Sequence, residues 1–120
     1  MSEPQAVSIQ PHAEVVWAVI HRPALDEATI EQLQAEITKA MSQQSTLPVI
    51  LDMSKVEFVP SSGLGVLVTL MRSIKKQNRR FILVGLQQEV RTTLALTHLD
   101  KLLEVYPRFE DALNRLRNPT

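Results

Sequence analysis

Residues 52–65, Asp-Met-Ser-Lys-Val-Glu-Phe-Val-Pro-Ser-Ser-Gly-Leu-Gly, concentrate the groups best able to do chemistry. Two hydroxyls, Ser61 and Ser62, stand directly before Gly63 and an apolar stretch that reads as a helix. A serine at a helix N-cap accepts a hydrogen bond from a backbone N–H one turn in. The N–H groups left free there, and the positive end of the helix dipole, favour an anion. Gly63 and Gly65 carry no side chain, so another backbone or a phosphate can approach closely. Ser61 is therefore expected to cap the helix and to present its hydroxyl. The plainer alternative is a cap alone, with glycines that serve only close helix–sheet packing.

Other reactive types are scattered. Asp26 is expected to cap the first helix, and Asp52 to end a strand; both are expected near loops on the Ser61 side. His12, His21 and His98 share no motif and read as surface or cap residues rather than metal ligands or bases. Ser61-Ser62-Gly63-Leu64-Gly65 is not a Gly-x-Ser-x-Gly nucleophile elbow, since neither Val59 nor Pro60 is glycine. No Walker loop or dinucleotide fingerprint occurs, and nothing marks a histidine oriented beside a serine. No catalytic residue is expected. Lys75-Lys76 with Arg79-Arg80 reads as a solvated basic helix end.

The elements that position these residues follow from periodicity. Val15-Val16-Trp17-Ala18-Val19-Ile20 is a continuous apolar run, expected as a strand buried on both faces. A weaker strand near Ala6–Gln10 could pair with it as a hairpin. Ile30, Leu33, Ile37 and Met41 recur at helical spacing behind Asp26. Val49-Ile50-Leu51 is a strand running into Asp52, a loop spans Met53–Pro60, and a helix runs from Leu64 to about Lys76. Phe81–Val84 is a third buried strand. Val90, Leu94 and Thr97 mark another helix, Leu102–Tyr106 a last strand, and Phe109, Ala112, Leu113 and Leu116 a C-terminal helix. Pro119 suggests a short frayed tail. This alternation predicts a single α/β domain over residues 1–120, ordered from about 5 to 117, with a mixed, mostly parallel sheet of about four to five strands and about four helices.

Composition narrows the classes. A chain of 120 residues, 44% hydrophobic and 22% charged, has enough apolar surface for one core. Lys+Arg 13 against Asp+Glu 13 gives zero net charge, unlike an electrostatic nucleic-acid binder. With no cysteine, disulfides, thiolate catalysis and cysteine-ligated zinc are excluded. The opening Met-Ser-Glu-Pro-Gln-Ala lacks the features of a secretory signal, and Leu64–Met71 is too short to cross a bilayer, so no transmembrane segment and a cytoplasmic location are expected.

The 52–65 segment resembles the signature loop of the STAS domain as found in anti-sigma factor antagonists, where the usual form is Asp-Leu-Ser, a few residues, a hydrophobic pair, then Asp-Ser-Ser-Gly-Leu-Gly. Pro23-Ala24-Leu25-Asp26 lies where that family has a Gly-x-Leu-Asp turn. Phe81–Gly85 and Leu96–Val105 resemble its later strand and its closing helix-to-strand segment. The resemblance implies a non-catalytic, phosphorylatable interaction module with Ser61 as phosphate acceptor. Its partners would be an anti-sigma factor that is also a serine kinase, which brings the ATP, and a PP2C-type phosphatase. No cofactor is implied, and a weak homodimer is compatible with the reading. Two departures stand out: Pro60 replaces the usual Asp, and Pro23 the usual Gly. They keep open a non-switching STAS scaffold of the stressosome type, a STAS subunit of a lipid-transport ABC system and, more distantly, a small-ligand-binding or enzymatic α/β domain.

The expected partner surface comprises Asp26, Pro60, Ser61, Ser62, Gly63, Val66 and Leu70. Leu64, Leu67, Val68, Met71 and Ile74 form one apolar stripe suited to the core, and Val66 and Leu70 lie off it. A helix apolar on more than one side is either fully covered or offers a groove, here one lined by Val59, Ser62, Val66 and Leu70.

Overall fold

The computed structural model describes residues 5–43 and 46–118. The expectations on the opening Met-Ser-Glu-Pro and on Pro119 fall outside those residues. In chain order the elements are β1 (Val7–Gln10), β2 (Val16–Ile20), α1 (Glu27–Gln43), β3 (Val49–Asp52), α2 (Ser61–Lys76), β4 (Phe81–Val84), α3 (Gln88–Leu96), β5 (Glu104–Tyr106) and α4 (Phe109–Arg117). A single 3-10 turn, Leu99–Lys101, which periodicity does not signal, precedes β5.

The sheet has five strands in the order β1-β2-β3-β4-β5. The β1–β2 hairpin is antiparallel and every other pairing parallel. The crossovers β2-α1-β3, β3-α2-β4 and β4-α3-β5 all step the same way across the sheet, so a common handedness puts α1, α2 and α3 on one face. The other face is left to α4. Side chains alternate accordingly: Val49 and Leu51 of β3 join the large core under α1–α3, while Ile50 joins Ile82, Val84, Ala112 and Leu113 beneath α4.

This asymmetry corrects one expectation. β3 is buried at Val49, Ile50 and Leu51, and β4 at all its residues, but Trp17 and Val19 of β2 are only half-buried. One nine-residue helix cannot cover the whole second face. Trp17 instead stacks on Phe109 with ring centroids 4.0 Å apart, and His12 packs edge-on against both rings.

A second correction concerns Arg79, which is buried rather than solvated, at 5% exposure. Its Nη2 donates to Met41 O at 3.0 Å. The last turn of α1 has no basic residue of its own, so Arg79 brings a cation to the negative end of that helix from across the chain. The closing strand is shorter than expected, because Leu102 lies in the exposed turn after Leu99–Lys101.

Candidate functional site

The 53–60 loop is tied down by backbone bonds. Glu57 and Phe58 N–H groups donate to Pro23 O at 2.7 and 3.0 Å, and Leu25 N–H donates to Phe58 O at 3.0 Å. Ala24 and Phe58 form an isolated parallel bridge, so the segment before α1 and the segment before α2 act as one small extra ladder. Val56 and Val59 anchor it from below, exposed 0% and 4%. Their spacing turns Phe58 outward, 61% exposed. Phe58 is absent from the sequence-based site, because no periodicity in this irregular loop marks which residue faces solvent.

Helix α2 starts from this loop, and its cap differs from the expectation. Pro60 is the N-cap residue, with φ −69° and ψ 170°, and no side chain closes a capping bond. Pro60 O accepts the first helical bond, from Leu64 N–H at 3.0 Å. Ser61 is thus the first helical residue rather than the cap, because the fixed φ of proline already supplies an extended entry. Its hydroxyl, freed from capping, is exposed beside Ser62, at a helix start whose first turn contains no acidic residue. The leading N–H groups of a helix have no partner within it, so this end is electropositive.

The two glycines play opposite parts. A Cβ on Gly63 would lie 2.8 Å from Leu25 O and 3.0 Å from Val59 Cγ1. Gly63 is therefore buried where α2 crosses the 23–25 segment, and it cannot itself touch a partner. A Cβ on Gly65 meets nothing within 4 Å. Leu70, at 7% exposure, also leaves the expected surface, since it packs with Leu67, Met71 and Ile74 in the core. Val59 is buried likewise, so the expected groove between Val59 and Leu70 does not exist. The outer side of α2 is formed by Ser61, Ser62, Gly65 and Thr69, with Val66 half-buried behind them. Leu64 and Val68 are half-buried at the core margin.

Asp26 lies one residue beyond Leu25, at the start of α1, where its Oδ1 accepts Thr29 N–H at 3.0 Å. That bond, then the Thr29 side chain and the nearby Arg22 charge, hold the carboxyl below its ordinary value of 3.8. Its cap role stands, and the carboxylate remains exposed. Asp52 turns the chain after β3 by accepting Ser54 N–H at 2.9 Å. Ser54 crowds Gly85, whose φ of +72° needs glycine.

The described residues bring one serine and one histidine together, Ser8 Oγ and His21 Nε2, at 2.7 Å. Lys55 Nζ sits 3.2 Å from the other ring nitrogen. An ammonium only donates, so Nδ1 accepts and the ring proton is on Nε2, which donates to Ser8. Ser8 is therefore an acceptor and gains no nucleophilicity from this histidine. His98 stands apart with φ of 60° ahead of the 3-10 turn.

The STAS domain family model matches residues 12–112. This chain belongs to the STAS domain family. A Thermotoga maritima protein named for anti-sigma factor antagonism is 33% identical over 69 residues, covering 58% of this chain and 61% of that relative. The chain thus aligns with about three-fifths of the length of that curated relative. Among solved structures, an anti-sigma factor antagonist from Mycobacterium paratuberculosis superposes with a TM-score of 0.78 at 27% identity, covering 98% of this chain and all of that one. The unphosphorylated form of the anti-sigma factor antagonist SpoIIAA superposes at 0.76 and 26%, covering 93% of this chain and 96% of that one. The chain shares with those two anti-sigma factor antagonist structures the fold of a single mixed α/β sheet covered by helices. Among the described residues no helix is long and apolar enough to cross a membrane.

Proposed function

We propose that this STAS domain binds an anti-sigma factor through the corner formed by Phe58, Ser61, Ser62 and the outer side of α2, and that phosphate on Ser61 ends the complex. The observation that carries the reading is an exposed serine at the first position of a 16-residue helix, three residues after an exposed phenylalanine on a loop pinned by buried anchors. Phe58 supplies apolar area of the kind that dominates interface energetics. A phosphoryl group adds about 1.5–2 negative charges. The electropositive start of α2 accommodates that charge within the domain, whereas a partner packed on Phe58 and Ser62 meets a bulky dianion. The switch acts by obstruction and charge, with no refolding of the rigid corner. The phosphoryl group on Ser61 would come from ATP brought by a partner that is itself a serine kinase, with a phosphatase of the PP2C type restoring the free hydroxyl.

One observation favours a second reading. Pro60 is the cap, and no acidic side chain occupies the first turn of α2, so the carboxylate usual beside the acceptor is missing. A non-switching scaffold would use the same corner without modification. Titration calorimetry of the cognate anti-sigma factor against wild type, Ser61→Ala and Ser61→Asp separates the two. The switch reading expects Ser61→Ala to bind like wild type and Ser61→Asp to bind at least about tenfold more weakly. Equal binding by both variants overturns it and leaves the scaffold.

A further inference from the structure

A concavity whose lining includes no residue of α2 or of the loop before it lies between α3 and β5. It is a groove of about 710 Å³, with Leu94, Leu103 and Val105 as its floor. Leu96, 77% exposed, stands on its rim together with Arg91 and Asp100. β5 closes the sheet on this side and pairs only with β4. Edge strands are commonly guarded by unpaired charges that repel a second strand. Here the one carboxylate of β5, Glu104, is engaged by Arg80 and by Tyr106 Oη within its own chain. The edge therefore lacks a charge guard and is protected only by its three-residue length and by Pro107 just after it.

We propose that this edge docks a second copy of the same chain. The interface would be twofold, with β5 antiparallel to its counterpart and Leu96 of each copy seated in the groove of the other. Isologous contacts need a self-complementary patch. A patch of one sign repels its copy, but this rim carries one cation and one anion, so a twofold axis sets Arg91 against the copy's Asp100 at two places. Knob and groove belong to the same patch, as do donor and acceptor edges of one strand. A foreign extended peptide would satisfy the strand edge alone and finds no reason for the matched charge pair. With only three residues in β5, the dimer is weak.

Sedimentation equilibrium of the 120-residue chain, from about 10 µM to about 1 mM, tests the proposal. The expected result is an average mass rising from 13.5 kDa towards twice that value. Leu96→Glu and Arg91→Asp each raise the dissociation constant at least about tenfold, and Arg91→Asp with Asp100→Arg returns it to within about threefold of wild type. Circular dichroism checks that the variants stay folded, and Ala95→Glu on the same exposed helix side replaces any that does not. A constant monomer mass, a dimer indifferent to Leu96→Glu, or a charge swap that restores nothing overturns the proposal. A monomer that instead captures extended peptides from a displayed library also overturns it and gives the groove to another protein.

Discussion

The Ser61 corner and the α3–β5 edge, the two surfaces proposed for contacts, are built on opposite physical plans. At the corner, backbone does the holding: Pro23, Leu25 and Phe58 exchange hydrogen bonds, and Gly63 lets α2 settle onto Leu25 O. The outward side chains are few, small or flat. At the edge, the holding is done by one short strand and a turn, and what faces outward is apolar area with one charge of each sign. Under the proposed switch, a surface that responds to one modified hydroxyl gains from rigidity, since a misplaced phosphate is a weak obstruction. A surface that matches only itself gains from symmetry and tolerates weakness.

The sharpest way to break this contrast is to spoil the rigid corner from below. Gly63→Val places atoms where only 2.8 Å separates a Cβ from Leu25 O, and it should lower unfolding stability by about 3 kcal/mol in urea titrations. Two positions on, Gly65→Ala meets open space and should raise stability by about 0.5–1 kcal/mol. Equal effects at both glycines would refute the close-approach argument.

Phe58→Ser separates binding from folding. Burial of Val56 and Val59 is untouched, so stability should stay within about 0.5 kcal/mol while affinity for the proposed anti-sigma factor partner falls by about 2 kcal/mol in titration calorimetry. Next in size is the cap on α1. Asp26→Ala should lower the midpoint of thermal or urea unfolding. Since the folded carboxyl titrates below 3.8, the wild-type contribution is present above that pH and is lost as pH falls through the lower folded value. The difference between wild type and Asp26→Ala should therefore shrink in acid, and a difference constant down to low pH would contradict the Thr29 bond as its source. The smallest effect belongs to Ser61→Asp. At the first position of α2 its charge favours the dipole, so stability should rise by about 0.3–1 kcal/mol even as partner binding weakens.

Much of the framework was legible before any coordinates. The apolar runs at Val49–Leu51 and Phe81–Val84 are rich in Val and Ile, bounded and short, which identifies strands under two covered faces. Asp26 ahead of Ile30 marks a helix start, because a carboxylate there accepts an N–H that no helix carbonyl can reach. The site was legible as a segment but not in its details. Ser61 looked like a cap because serine favours that position; the proline before it took the cap by backbone geometry alone. Leu70 looked available because helical spacing separates it from one stripe, yet the core wraps far enough round α2 to take Leu70 as well as Leu67 and Met71. Arg79 read as a solvated cation, since the carbonyl it serves belongs to Met41, 38 residues earlier.

What the residues determined alone is everything governed by near neighbours: element types, the alternation that makes the sheet largely parallel, and the 52–65 segment as the place of interest. What only the tertiary structure decided is which groups remain outside once distant segments meet. Ser61 and Phe58 stay exposed, and Gly63, Val59 and Leu70 vanish, because the 23–25 segment and the sheet close over one side of α2. Solvent access is a property of the assembled surface, set by contacts between residues far apart in the chain, and no local pattern encodes it.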